Sequence, residues 1–151
     1  MVEMFENLNH RLYHHFSCTY LGILRYMQKR MAHDTEYTLE QMSILNMLRN
    51  LGKADVDTMA RLIIKEPNTL LQIMNRMVDK GYLEKQKIGR KTVYQITAEH
   101  RTKHDPELFN AYTGDIFDCF TQAEKDKYLE LSDKLFNSVN TKLTNYFVEY
   151  E

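Results

Sequence analysis

Basic side chains are concentrated in one short segment in the middle of the chain. Between Lys80 and Lys91 five basic residues face the single acid Glu84, which gives twelve residues a net charge of +4. A dense positive patch attracts polyanions, and nucleic acid is the most highly charged of them. Solvated loops also carry such charge runs, so the neighbouring segments have to decide between the two interpretations.

A polar helical face precedes the basic segment. A helix predicted to begin at Pro67 has apolar residues at helical spacing, which leaves amide, hydroxyl and guanidinium side chains on its other side. Amide side chains can hydrogen-bond adenine, arginine can bind guanine, and leucine can contact the thymine methyl group. Any soluble helix has a polar face, so the prediction rests on this helix and the basic segment together. The candidate DNA-contacting residues are Pro67, Asn68, Thr69, Leu71, Gln72, Asn75, Arg76, Lys85, Lys87, Arg90 and Lys91.

Two histidine pairs have the spacing of metal ligands on a helix. His10 with His14, and His100 with His104, are four positions apart and so share a helix face. Neither motif supplies a third ligand, so surface histidines are the expected state and no metal is predicted. Cys18 lies on an apolar helix, where a buried and inert thiol is expected.

Catalytic motifs are not found in the sequence. There is no GxSxG, no glycine-rich phosphate loop and no HExxH. We therefore predict that the protein is not an enzyme and has no cofactor.

Long amphipathic helices are predicted at both ends of the chain. Apolar residues recur at steps of three and four from Phe5 to about Met31, and again after a capping box at Thr121 and Glu124. The first stripe is wider than a surface helix needs, so one of its sides is expected to pack against a second subunit.

Three short helices and a hairpin are predicted between the long helices. Thr38 and Gln41 form a capping box for a helix ending at Gly52, and Asp55 or Asp57 can cap the next. Pro67 is suited to the first turn of the third helix. The apolar period then changes to two, which predicts strands over 82–87 and 92–96 joined by 88–91.

Composition and charge restrict the class of protein. The 151 residues are 43% hydrophobic and 27% charged, as in one folded domain or two very small ones. No apolar run reaches 18 residues, no signal peptide is evident and the two cysteines are 101 positions apart, so we expect a cytoplasmic protein without a membrane partner. The net charge of −1 divides into 0 for residues 1–52, +5 for 53–104 and −6 for 105–151.

From about Tyr37 to Thr97, and more loosely throughout, the chain resembles the MarR family of winged-helix transcriptional regulators. The matching stretches are TLEQMSILNMLRNLG, VDTMARLI, PNTLLQIMNRMVDKGYLEK, VYQIT followed by Ala98-Glu99, and FTQAEKDKYLELSDKL. The resemblance implies a homodimer that binds a pseudo-palindromic double-stranded DNA operator. At the wing tip the family alternates acids with arginines, whereas residues 87–91 contain no acid, and Arg90 is the candidate minor-groove arginine.

The predicted fold is mainly α with a small β-hairpin wing, in which long N- and C-terminal helices form a dimerisation region. Residues 1–34 and 105–151 make up that region, and residues 35–104 form the winged helix-turn-helix lobe. The resemblance also implies a small aromatic effector bound between these regions, although aromatic residues at helical spacing are more often core. The candidate effector-binding residues are Tyr13, His14, Phe16, Tyr20, Arg25, Tyr112 and Phe117.

These features predict a DNA-binding regulator, most often a repressor in such a family, whose DNA affinity a small molecule modulates. Two alternatives stay open. One is a winged-helix dimer that acts as a protein-interaction adaptor through its acidic C-terminal third. The other is a regulator that responds to metal or oxidation.

Overall fold

The computed structural model describes residues 7–103 and 105–150, with the side chains of 145–150 left out. Helices dominate this part of the chain, and a small sheet lies between them. The helices are α1 (Leu8–Asp34), α2 (Leu39–Leu51), α3 (Val56–Ile63), α4 (Pro67–Asp79), α5 (Ala98–Lys103), α6 (Pro106–Phe117) and α7 (Gln122–Tyr150). The strands are β1 (Lys53–Asp55), β2 (Leu83–Ile88) and β3 (Lys91–Ile96). In the described residues no helix is long and apolar enough to cross a membrane.

Local signals in the sequence set the helix boundaries. The capping box predicted at Thr38 is present, since its hydroxyl accepts from the Gln41 amide while the Gln41 side chain accepts from the Thr38 amide. Gly52 ends α2 at φ +77°, a conformation that disfavours other residues. Asp55 is the cap of α3, because its carboxylate accepts from the Thr58 amide at 2.8 Å. The mainly α fold predicted from the sequence is confirmed.

The sheet has three strands, one more than the hairpin that the sequence predicted. The short strand β1 pairs antiparallel with β3, so that β3 is central in the order β1-β3-β2. Three residues are too few to display an alternating pattern, which explains why β1 was missed. The hairpin is also tighter than predicted, since Ile88 pairs with Lys91 and only Gly89 and Arg90 form the turn.

Contacts within the chain divide it into two units, 1–112 and 113–151. In the first unit, α2, α3, α4 and the sheet enclose an apolar core that contains Leu45, Met59 and Met74 with no exposed surface. The predicted inward face of α4 is confirmed, because Leu70, Ile73, Met74 and Met77 are all buried. In the second unit, the rings of Phe117, Phe120 and Tyr128 lie 5.8 to 6.4 Å apart.

The two long helices leave most of their apolar side chains exposed in the single chain. On α1 only Met27 and Met31 are buried. Most of the other large apolar residues whose side chains are described form exposed stripes on the two helices. They are Leu8, Leu12, Tyr13, Phe16, Tyr20 and Leu21 on α1, and Tyr128, Leu129, Leu131, Leu135, Phe136, Val139 and Leu143 on α7.

Two expectations about single side chains are wrong. His100 is buried rather than solvated, because its ring stacks on Tyr82 at 4.2 Å and meets Tyr37 edge-on. Cys18 is exposed in the chain rather than buried, and its Sγ lies 3.6 Å from His14 Nε2. A one-turn spacing in the sequence does not show which helix face the fold covers, and the fold here covers the face of α5 that carries His100.

Candidate nucleic-acid interface

The turn between α3 and α4 sets the position of α4, the helix with the predicted polar face. Ile64 ends α3 in the left-handed region at φ +50°, an uncommon conformation for a branched residue, and the Lys65 amide donates to the Ala60 carbonyl. Lys65 then forms an ion pair with Glu40 of α2. Pro67 begins α4 without a side-chain cap, so the first amides of the helix remain available to an anion such as phosphate.

The polar face predicted for α4 is exposed. Six candidate DNA-contacting residues of α4 are solvent-exposed, and Leu71 among them keeps 37% of its surface accessible. The exposed residues are Pro67, Asn68, Thr69, Leu71, Gln72 and Arg76. Asn75 differs, since it is half-buried and its side-chain oxygen accepts a hydrogen bond from the Tyr94 hydroxyl of β3 at 3.3 Å.

The basic hairpin projects four cations, which fall into two classes. Lys85 and Lys87 on β2 and Arg90 in the turn are exposed, and within the described residues no acid pairs with them. Gly89 supplies φ +61° for the two-residue turn, so Arg90 stands at the tip of the hairpin. These three side chains therefore keep their charge available for a polyanion.

Lys91 belongs to the second class. Its Nζ lies 2.6 Å from Asp55 Oδ2, the carboxylate that also caps α3. The Lys91 ammonium and the Thr58 amide hold the pKa of Asp55 far below its usual range, while the carboxylate raises the pKa of Lys91. This pair ties the turn end of the hairpin to the start of α3 and lowers the charge that Lys91 offers to solvent.

An open cleft of about 870 Å³ lies within the first unit. Tyr20 is the one predicted effector-binding residue among its lining side chains. Apolar groups from α1, α2 and α4, including Leu24, Ile44 and Ile73, form most of the wall, and Ser43 and the Lys65–Glu40 pair add polar groups. The cleft is open to solvent, and its wall carries both apolar and polar groups.

The structure does not bring the other predicted effector-binding residues to this cleft. Tyr13, His14, Phe16 and Arg25 lie elsewhere along α1, and Phe117 belongs to the second unit. Tyr112 is fully buried and donates to Asp34 Oδ2 at 2.7 Å, with the Arg30 guanidinium 5.0 Å from its ring centre. Burial and this hydrogen bond raise the pKa of Tyr112 to about 12, so the ring is held as a neutral part of the interior.

The histidine pairs do not assemble a larger ligand set in the described part of the chain. No group of three or more His, Cys, Asp and Glu side chains that could hold a metal occurs there, and His104 lies outside the described residues. His100 Nε2 has no hydrogen-bond partner among the described residues and lies 3.6 Å from the Glu36 carboxylate.

Sequence reasoning missed Tyr94 and the polar lining of the cleft. Tyr94 points to the buried side of β3, and a buried tyrosine needs a partner for its hydroxyl. That rule could have flagged the residue, but not Asn75 as its partner, because the two are 19 positions apart. No sequence pattern could predict the ion pair between Lys65 and Glu40, because these residues are 25 positions apart.

Solved structures with this fold are transcriptional regulators. An organohalide-sensing RdhR regulator in ligand-free form matches with a TM-score of 0.75 at 21% identity, covering 91% of this chain and 88% of that one. BpsR of Bordetella bronchiseptica, whose DNA binding is regulated by 6-hydroxynicotinic acid, matches at 0.74 and 18% identity over 83% and 98%. A cysteine-to-serine mutant of MarR from E. coli in complex with operator DNA matches at 0.73 and 15% identity over 82% and 92%. None of the curated protein sequences matches the chain.

The sequence comparison agrees with the fold. Residues 37–110 match the family model described as Penicillinase repressor, and this range holds the helix-turn-helix and the hairpin. The family and the structural relatives are transcriptional regulators and not enzymes. The resemblance seen in the sequence is thus confirmed at the level of the fold, and the chain has the winged-helix fold of the MarR-type regulators.

Proposed function

We propose that the protein is a dimeric, sequence-specific DNA-binding regulator that represses transcription and whose DNA affinity a small molecule modulates. The observation that carries the proposal is the exposed polar face of α4 beside a hairpin with three unpaired cations among the described residues. In such an interface α4 enters the major groove and the hairpin lies along the phosphates or in the minor groove. A structure with the same fold, the MarR mutant from E. coli, is complexed with operator DNA, which supports a DNA-binding role.

A salt titration of DNA binding tests the role of the hairpin. We expect Arg90→Ala to weaken binding to all duplex sequences and to lower the slope of log affinity against log salt by about 1, because one phosphate contact is lost. Lys127→Ala removes an exposed cation from α7, outside the winged lobe, and is the matched control. Equal effects of the two changes, or binding that does not depend on salt, would contradict the proposal.

Operator selection from random duplexes tests the role of α4. Gln72 is exposed in the middle of the helix, so Gln72→Ala should change which base is preferred at one position of each half-site. The selected half-sites should be separated by about one helical turn if two lobes bind together. Wild-type protein that enriches no sequence would sink the proposal, and a stable protein partner found in its place would favour the adaptor alternative.

The dimer is supported by the exposed apolar stripes of α1 and α7. An exposed apolar face that runs from Tyr128 to Leu143 of α7 is unusual on a monomeric protein and typical of a covered surface. We place the subunit interface on these two helices, with α1 and α7 of one chain buried against a second copy.

The effector site is proposed at the cleft that Tyr20, Ser43 and Lys65 line. A cavity-filling change tests it: Ala32→Phe places a ring at the cleft, whereas Ala123→Phe places one on exposed α7. We expect Ala32→Phe alone to weaken the binding of phenol and benzoate in isothermal titration calorimetry. Identical affinities for the two variants would remove the cleft as the site and leave the DNA-binding proposal intact.

A further inference from the structure

A polar contact joins the proposed recognition helix to the central strand of the sheet. The Tyr94 hydroxyl donates to Asn75 Oδ1 at 3.3 Å. Tyr94 is 2% exposed, and its strand is paired on both sides, with Lys85 of β2 and Ala54 of β1 opposite it. The donor therefore stands on a rigid support beneath α4, while Asn75 is half-buried on the flank of the helix.

The Tyr94 hydroxyl remains a donor over the physiological range. Burial raises the pKa of Tyr94, so the group stays protonated. In the structure it is the carbonyl oxygen of the Asn75 amide that faces this hydroxyl and so the protein interior, which leaves the NH₂ end as the one directed outward. Loss of the hydroxyl would let the amide rotate and present either end.

We infer that Tyr94 is a specificity-determining residue. By holding the Asn75 oxygen, it makes Asn75 bind hydrogen-bond acceptors on the bases, so that Asn75 prefers guanine to adenine at one position of the operator. The inference rests on the proposed DNA-binding function. An unrestrained asparagine favours adenine, because its oxygen accepts from N6 while its nitrogen donates to N7. With the oxygen turned inward only donors remain, and guanine offers two acceptors, adenine and thymine one each, and cytosine none.

Operator selection with four proteins tests the inference. The proteins are the wild type, Tyr94→Phe, Asn75→Ala and the double variant. We expect Asn75→Ala to lose preference at one position, where the wild type selects guanine. Tyr94→Phe should shift that position towards adenine by about tenfold in relative affinity, the lower range for a bidentate base contact. In the Asn75→Ala background Tyr94→Phe should have no further effect.

Two further variants separate base preference from folding. Tyr82→Phe also removes the hydroxyl of a buried tyrosine, but that hydroxyl interacts with Glu36 rather than with α4, so the selected sequence should not change. Asn75→Asp replaces the outward donor by an acceptor and should move the preference to cytosine.

The outcomes distinguish this inference from the proposed function. A wild type that enriches an operator with adenine at the Asn75-dependent position overturns the inference alone. So does Tyr94→Phe protein that keeps the wild-type base there, or that loses affinity equally for all sequences. Wild-type protein that enriches no sequence overturns the inference and the DNA-binding proposal together.

Discussion

The winged lobe and the helix α7 use their apolar residues in opposite ways. In the lobe, side chains such as Leu45, Leu48 and Leu70 have no exposed surface, and the charge of residues 53–104 is +5. On α7, Leu131, Leu135 and other large apolar residues keep about half of their surface exposed, and the five acids and four bases of this helix give it a charge of −1.

The difference shows which part of the molecule is complete in a single chain. The lobe encloses its own core, so its outer surface is free to carry polar and basic groups for a ligand. The apolar stripe of α7 is long but uncovered, which indicates that its partner surface comes from elsewhere.

The largest expected effect is on the core of the lobe. Leu45→Ala should lower the free energy of unfolding by about 3 kcal/mol, because it leaves a cavity at a site with 0% exposure. Urea denaturation measures the loss. Leu62→Ala, at a leucine of α3 that is 48% exposed, should cost less than about 1 kcal/mol. Equal losses would show that exposure in the single chain does not distinguish core from surface.

The next effect is on the apolar stripe of α7. Leu135→Asp should weaken self-association by at least about tenfold, since a charge would be buried in the subunit interface. Sedimentation equilibrium should give twice the 18.1 kDa chain mass for the wild type and a concentration-dependent mixture for the variant. Asn137→Asp adds the same charge to an exposed polar position and is the control. A wild type that is monomeric at all concentrations would refute the proposed role of the stripe.

A smaller effect concerns the carboxylate that joins the hairpin to α3. Asp55→Ala should lower the free energy of unfolding by about 1 kcal/mol at pH 7, the usual contribution of a helix cap. Asp57 lies in the first turn of α3 but does not cap it, so Asp57→Ala should change the free energy of unfolding little. The folded-state pKa of Asp55 is depressed, so its contribution is complete above about pH 4, the unfolded value, and is lost as the pH falls through the folded value. Denaturation curves at pH 7 and pH 3 should therefore show a smaller difference from the wild type at the lower pH. A difference that grows on acidification would contradict this assignment.

The smallest effect separates the two classes of cation on the hairpin. Lys87→Gln should lower the salt slope of DNA binding by about 1, as expected for one phosphate contact. Lys91→Gln should lower it by less, because the Lys91 ammonium is already 2.6 Å from the Asp55 carboxylate. Fluorescence anisotropy at several salt concentrations compares the two. A larger effect at Lys91 would mean that the ion pair opens on DNA.

Most elements of the fold were predictable from local patterns. The helix stripes, the cap at Thr38, the proline that begins α4 and the period-two hairpin all depend on residues close together in the chain. The strand β1 was not predictable, because three residues become a strand only through pairing with β3. In the candidate interface, the residue types and the net charge were predictable. Which side chains are exposed and which are paired with another residue was not.

The sequence by itself determined the helical periodicity, the polar face of α4 and the basic character of the hairpin, because each depends on residue type and short spacing. Tertiary structure alone decided which of these groups are engaged. It paired Lys91 with Asp55, Lys65 with Glu40 and Tyr94 with Asn75, across separations of 19 to 36 positions. Hydrogen bonds and ion pairs act over a few ångströms, so partners distant in the chain are set only when the packed core brings their elements together.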